Sequence, residues 1–342
     1  RMGNKMMDTI SAKFNIPFKR CGSLILAQTD EEVDIIQGIY NRAIDRGTKD
    51  VLILESDYIY EMEPNLNVDI KKALYSKNTG VICPFDLALS YGEVAFDNGV
   101  KFKLEEEVID IQEITKGFKV ITNKNKLTCK MVINTTPSEN YSIVNEKKGN
   151  DNKNKFEVKV KDTDLNNEGI LKYILLDNNE KTKYSHALFM INSKGERIYT
   201  LPTMEGDTVA AISTSENVSY DEVVKRVSKI TSVVDDMKVK MFLDWPFFEE
   251  SMVIDDSGID RGLIQIKGKH YGQVTMTPAI ASIVCESVVS MMKCKLKKDF
   301  NDKRRENYKF RDLCDEERKS VIEVDEKYGK IICGCQKVTE GE

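Results

Sequence analysis

What the chain lacks narrows its class before any motif is considered. No lysine- and arginine-rich block is sustained: 51 basic and 56 acidic residues give a formal net charge of -5, spread along 342 residues. That excludes a surface built to track a phosphate backbone. No apolar run reaches the roughly 20 residues of a bilayer span. The longest, Ala279 to Met292, is interrupted by Glu286, so no transmembrane helix is expected. The chain opens on Arg1 without the basic, apolar and small-residue order of a secretory leader. Eight cysteines are scattered, only Cys333 and Cys335 lying close together. A chain of this size needs no disulfide framework, and a reducing cytoplasm is expected. Finally, no two glycines are separated by a single residue. The G-x-G-x-x-G turn that seats a pyrophosphate on a helix N-terminus is therefore absent.

What is present is a globular composition, 41% hydrophobic and 31% charged, sufficient for a sizeable core and two interleaved domains. Met2 to Phe14 reads as a helix, and Gly22 to Gln28 as a buried strand. Thr29 and Glu32 have capping-box spacing ahead of Val33, Ile36, Tyr40 and Ala43, a helical face that ends at Gly47. Val51 to Leu54 is a further strand, and Pro64 marks a turn. A helix over Asp86 to Phe96 leads to the Asn98-Gly99 turn, then to strands at Val108-Ile109, Phe118 to Thr122 and Met131 to Asn134. Asn145 to Lys155 is polar and aperiodic, and reads as an interdomain loop. Beyond it, Leu171–Leu176, Ala187–Ile191, Arg197–Leu201 and Thr208–Ile212 imply an antiparallel sheet. Ser219 and Glu222 open a helix whose apolar positions are Val223, Val227, Ile230 and Val234. Near the end come a strand over Gly262 to Lys267, a loop to Thr277, and an apolar helix with Pro278 in its first turn. Ile280, Val284, Val288 and Met291 line the side expected against a sheet, in strand-loop-helix order.

Seven segments occur in the order found in FAD-dependent oxidoreductases of the D-amino-acid oxidase and glycerol-3-phosphate dehydrogenase type. They are FNIPFKRCGSLILA at 14–27, EMEPNL at 61–66, TGVICPFDLA at 79–88, MVINTTP at 131–137, LPTMEGDTVAAIST at 201–214, IKGKHYGQVTMTPAIASIV at 266–284 and YGKIICGCQKVTEGE at 328–342. The chain resembles that family along nearly its whole length, as a fragment cut at both ends whose front cut removes the phosphate fingerprint. The resemblance implies a mixed α/β fold: an incomplete Rossmann-like FAD-binding domain over 1–13, 85–137 and 256–296, interleaved with an antiparallel-sheet substrate domain over 14–84 and 150–255. Residues 297–342 become a linker and the start of a bacterioferritin-associated-ferredoxin-like domain.

By resemblance the loop over Tyr271 to Thr275 meets the pyrimidine end of the flavin, where N–H groups of a helix N-terminus oppose negative charge. Gly268 lets the backbone approach the ring, with Gln273, Val274 and Thr275 following. Gly272-Gln273 replaces the usual Pro-Gly pair. Asn134 and Thr135 match the segment beside the FAD phosphate, with Pro137 in place of a glycine. Val108 matches a position touching adenine, or is simply a core valine. His270 is a candidate acid or base, or a solvated loop residue; His186 reads as structural. Two substrate-side positions depart from the family: Glu205 stands where a histidine is usual, and Trp245 where an anion-binding arginine is usual.

Cys333 and Cys335 resemble half of a [2Fe-2S] site, which takes four cysteines, or are incidental. The implied activity is dehydrogenation of a small substrate such as glycerol 3-phosphate, a 2-hydroxy acid or an amino acid by hydride transfer to FAD. Electrons then pass to an iron-sulfur or ferredoxin-like partner. The alternative is a non-catalytic subunit that keeps the fold as an interaction platform.

Overall fold

The computed structural model describes residues 1–66, 68–136, 140–141, 158–159, 169–177, 184–192, 195–214, 218–230, 238–248, 250–305, 308–334 and 337–342. In chain order its first half comprises α1 (Met2–Phe14), β1 (Phe18–Arg20), β2 (Ser23–Ala27), α2 (Asp30–Asp45), β3 (Val51–Glu55), α3 (Ser56–Met62), β4 (Lys72–Ser76), β5 (Gly80–Ile82), α4 (Pro84–Asp97), β6 (Val108–Ile114), β7 (Gly117–Thr122), β8 (Lys126–Cys129) and β9 (Val132–Asn134). The second half comprises β10 (Asn140–Tyr141), β11 (Val158–Lys159), β12 (Gly169–Asp177), β13 (Ala187–Ile191), β14 (Arg197–Pro202), β15 (Thr208–Thr214), α5 (Tyr220–Val227), β16 (Lys238–Phe247), β17 (Val253–Asp255), β18 (Leu263–Lys267), α6 (Gln273–Met292), α7 (Asp315–Val324), β19 (Ile331–Cys333) and β20 (Val338–Thr339). The expected interdomain loop over Asn145 to Lys155 lies outside the described residues, as does Val234. Residues 1–87 and 102–298 form one compact unit; residues 88–101 and 299–342 form a second.

The first unit is dominated by an eight-stranded sheet ordered β16-β12-β15-β14-β13-β2-β4-β3. The four strands expected to be antiparallel, β12 to β15, are so; β16 adds a further antiparallel strand beside β12, and β2 joins β13 in parallel, Ser23 facing Ala187. Alternation decides the two faces. Leu24, Leu188, Ile198, Ile212 and Ile174 point to one side, where Ile59 of α3 and Val223 and Val227 of α5 complete the main core. Ala27, Leu74 and Val51 point to the other, under Ile36 of α2. Each such side chain contributes about 1.5–3 kcal/mol of burial. The Thr29–Glu32 capping box forms as expected: the Thr29 hydroxyl accepts from Glu32 N, and Glu32 accepts from Thr29 N. Ser219 caps α5 by the same hydroxyl bond to Glu222 N.

A smaller sheet in this unit has the order β17-β18-β9, with β9 parallel to β18. Leu263 of β18 joins Ile111 and Phe118 of the β6-β7-β8 meander in a separate apolar cluster. The helix beyond it starts earlier than expected. α6 opens at Gln273, so the second half of the expected loop is helical and Pro278 lies past the first turn. Lacking an N–H, Pro278 leaves the Val274 carbonyl without its intrahelical partner; the Thr277 hydroxyl donates to the Gln273 carbonyl at 2.8 Å. The early start also makes α6 long and apolar enough to cross a bilayer by length and composition, against the expectation from the shorter run. The helix nonetheless lies against α1, where a Cβ on Gly3 would come within 1.9 Å of the Thr275 carbonyl oxygen.

In the second unit, Arg304 pairs with Glu93, Arg305 with Asp97, and Asn98 with the backbone of Asn301. These bonds join the end of α4 to a segment some 200 residues later. After α7 in the chain, β19 and β20 form a short antiparallel hairpin.

Candidate active site

The face of the large sheet turned away from the main core is described by its register. One cross-strand row reads Leu243, Tyr173, Ala211, Tyr199, Phe189 and Ile25, from β16 to β2. Phe189 and Tyr199 meet edge to face at 5.5 Å. Two residues further along, the next row reads Trp245, Leu171, Ser213, Arg197 and Ile191. β15 thus brings only Ala211 and Ser213 between the larger residues of β12 and β14. Ala211 is 2% exposed there, between Tyr173 and Tyr199.

β16 leads directly to the loop that the sequence marked as flavin-facing. Tyr271 N donates to the Phe248 carbonyl at 2.8 Å, Glu250 N to the Lys269 carbonyl at 2.9 Å, and Lys269 N to the Glu250 carboxylate at 2.8 Å. Gly268 turns the chain there with φ +89°, and a Cβ on it would meet the Ser251 carbonyl oxygen at 2.3 Å. Only glycine accommodates both the dihedral and the approach. α6 then begins at an N-cap, Gly272, that offers no side-chain bond.

Four of the expected cofactor-binding residues, Thr135, Gly268, Gln273 and Val274, line one groove of about 710 Å³ between the small sheet and α6. Thr275 follows in the first turn of α6. Asn134, buried at the end of β9, has its Oδ1 accepting from Thr136 N at 2.9 Å and from the Thr136 hydroxyl, which shapes the turn carrying Thr135. Val108 is not in this groove: it faces Thr122 in the meander and is 37% exposed. His270 stacks on Tyr271 at 4.3 Å, and its Nδ1 accepts from Gly272 N at 2.8 Å. That bond commits Nδ1 as an acceptor and leaves Nε2 for any proton exchange. Pro137 and Cys335 lie outside the described residues; Cys333 is half-buried in β19. Among the described residues no three metal-ligating side chains converge.

The two substrate-side departures are not neighbours. Glu205 is exposed in the β14–β15 hairpin, and this hairpin is tied to β16 by Asp207, whose carboxylate pairs with Lys240 at 2.8 Å. Lys240 precedes Trp245 by five positions in β16, roughly 17 Å of strand. Trp245 occupies the end of the Arg197 row, its side chain lying outside the described residues.

One anchoring pair escaped sequence reasoning. Glu63, 1% exposed, accepts at a single Oε1 from Ser185 N at 2.8 Å, His186 N at 2.7 Å and His186 Nδ1 at 2.7 Å. It pins the start of β13, and so the strand that carries Phe189, to the end of α3. His186 also packs edge-on to Tyr75 at 5.9 Å. The EMEP segment was the available signal, but a glutamate beside a proline does not announce a partner 123 residues away.

Residues 1–286 match the family model described as FAD dependent oxidoreductase. The chain is 31% identical over 356 aligned positions to a glycerol 3-phosphate dehydrogenase of Caloramator mitchellensis, covering 99% of this chain and 72% of that protein. A shorter stretch of 79 residues is 37% identical to the mitochondrial L-2-hydroxyglutarate dehydrogenase of Nematostella vectensis, 23% of this chain and 17% of the other. Among solved structures, the fold is similar to a dithionite-reduced L-α-glycerophosphate oxidase from Mycoplasma pneumoniae with FAD bound, at TM-score 0.66 and 16% identity, covering 90% of this chain and 82% of that one. It is also similar to glycine oxidase from Geobacillus kaustophilus, at TM-score 0.64 and 15% identity, with 90% and 82% covered. With its mixed sheets, its glycine turn and its helix start in place, the chain belongs to the D-amino-acid oxidase family of FAD-dependent oxidoreductases.

Proposed function

We propose that the chain oxidises a C–H bond beside a hydroxyl or amino group of a small substrate, of the glycerol 3-phosphate, 2-hydroxy acid or amino acid kind. The observation that carries this reading is the convergence of Thr135, Gly268, Gln273 and Val274 on one groove at the start of α6. When bound, FAD supplies the two-electron acceptor for the substrate hydride.

The residues present suit the flavin end of that cofactor. Gly272 leaves the first-turn N–H groups of α6, among them those of Val274 and Thr275, outside the helical bonding pattern. Together with the helix dipole they oppose negative charge at that point. No glycine-rich turn in the chain offers a matching cradle for the pyrophosphate. Tyr173 and Tyr199, on the face of the large sheet away from the main core, orient the substrate and exclude water from it. His270 Nε2 is the atom we assign to proton exchange with the substrate hydroxyl or amine.

Similarity to proteins named for glycerol 3-phosphate and L-2-hydroxyglutarate supports a hydroxylated substrate. Electron transfer onward to an iron-sulfur or ferredoxin-like partner is supported by Cys333 in its short hairpin, with Cys335 two residues on. Thiols at Cys21, Cys83 and Cys129 support a reducing, cytoplasmic setting.

The test is spectroscopic. Purified protein is expected to carry, or take up, FAD and to bleach its visible absorbance anaerobically with one of glycerol 3-phosphate, L-2-hydroxyglutarate or glycine. A folded protein that neither holds flavin nor recruits it on reconstitution overturns the reading.

A further inference from the structure

We infer that the C-terminal end of α6, with the lysine-rich turn that follows it, docks this chain on the surface of an anionic lipid bilayer. Docking there goes beyond the oxidoreductase chemistry proposed above and does not depend on it.

α6 is apolar on sides that the protein leaves uncovered. Only 11% of its most apolar stretch is buried, the buried positions being Pro278 and Val284. Val289, one turn before the end, is 44% exposed. The helix stops at Met292, and Lys293 takes the left-handed conformation with φ +50°. Lys295, Lys297 and Lys298 follow around Leu296, which is 95% exposed. A leucine so exposed adds almost no burial to the fold.

Residues 293–298 hold four lysines and no acid, in a chain whose net charge is -5. The positive charge is therefore local and opposite in sign to the molecule as a whole. That pairing of charge and apolar side chain fits one surface. Lysines are drawn to a negative headgroup layer, and an apolar side chain among them enters the acyl boundary. A nucleic acid would use the charge and leave Leu296 in water, and six residues are too short a run to track a phosphate backbone. The bilayer is met at its surface and is not crossed. Gly3 of α1 packs against the Thr275 carbonyl in the first turn of α6, and Glu286 would place a charge inside the hydrocarbon. At 1.5 Å per residue, the docked end lies roughly 30 Å along α6 from the Gln273 start.

Vesicle co-sedimentation of the whole chain tests this without flavin or turnover. The parent is expected to bind vesicles of phosphatidylcholine mixed with phosphatidylglycerol, and phosphatidylcholine alone at least about tenfold more weakly. Salt at about 0.5 M should release it. Lys297 has a contact within the protein, so the charge is tested at Lys295 and Lys298. Lys295→Gln with Lys298→Gln is expected to weaken binding about tenfold to thirtyfold, and Leu296→Gln about tenfold. Lys116→Gln with Lys126→Gln removes the same charge from exposed positions of the β6–β8 meander and should leave affinity within about twofold. No binding by the parent, equal binding to neutral vesicles, or equal losses in the two double variants overturns the inference. Vesicle binding by L296Q equal to the parent's also overturns it, and duplex DNA that binds the parent as tightly then identifies the lysines as a general polyanion patch. Circular dichroism checks that each variant folds; for one that does not, the lipid and salt dependence of the parent gives the answer.

Discussion

The two sheets of the first unit are finished to different degrees. On its core side the eight-stranded sheet is closed by α3 and α5, and Leu24, Leu188, Ile212 and Ile174 are all fully buried. The three-stranded sheet leaves Ile133 of β9 45% exposed, while α6 keeps Ile283 and Val289 each 44% exposed. The eight-stranded sheet therefore holds its shape through its own core. On the side of the three-stranded sheet and α6, a ligand that binds only the folded form adds RT ln(1 + [L]/Kd) to stability.

The largest effect that tests this contrast comes from truncating one residue on each side. Ile212→Ala removes a fully buried side chain from the main core and is expected to cost about 2–5 kcal/mol. Ile283→Ala on α6 should change stability by no more than about 0.5 kcal/mol. Equilibrium denaturation in urea measures both, and equal losses would break the contrast. Next in size is Glu63→Ala, which strips the acceptor from three donors at the start of β13 and is expected to cost about 2–3 kcal/mol. Glu63→Gln keeps a side-chain carbonyl acceptor and should lose much less. If the two variants melt together, Glu63 acts through something other than its oxygen.

The sequence made the large sheet legible where period and caps agree. Thr29 with Glu32, and Ser219 with Glu222, are local signals set within one turn, and both helices start where those residues stand. The four strands between Leu171 and Ile212 have apolar alternation read within a few residues. The parallel partnership of β2 with β13 was hidden, because Ser23 and Ala187 lie 164 positions apart and nothing in either strand names the other. The loop over Tyr271 to Thr275 was read through resemblance, and of the residues expected beside the cofactor Thr135, Gly268, Gln273 and Val274 line one groove. The start of α6 was misplaced because Pro278 signals a first turn when the tertiary fold does not override it. Glu63 went unread because its meaning depends on long-range neighbours, which no spacing rule supplies.

At the junction of the two regions the expected effect is smaller. Gly268→Ala places a methyl at φ +89° against the Ser251 carbonyl and should cost about 1–3 kcal/mol through backbone strain. Because the strain falls on the tether to β16, flavin retention after gel filtration should fall more than the melting temperature does. A variant that holds flavin like the parent would place the cofactor's ring away from this turn.

The smallest effect concerns what the three-stranded sheet uses in place of a closed core. Asp255 of β17 accepts from Lys267 of β18 at 2.5 Å and from the Ser257 hydroxyl at 2.6 Å. The Lys267 hydrogen bond, helped by Ser257, lowers its pKa from 3.8 to about 2. A depressed carboxylate contributes stability that is fully present above its unfolded pKa and is lost as pH falls through the folded value. The window is therefore pH 4 down to about 2. Lys267 is 38% exposed, so solvent screening holds the contribution below about 1 kcal/mol. Asp255→Asn should remove that acid limb: between these pH values the parent loses up to about 1 kcal/mol more than the variant, and high salt should narrow the gap. Parallel acid profiles for parent and variant would mean that β17 is held to β18 by its backbone ladder, with the ion pair contributing nothing measurable.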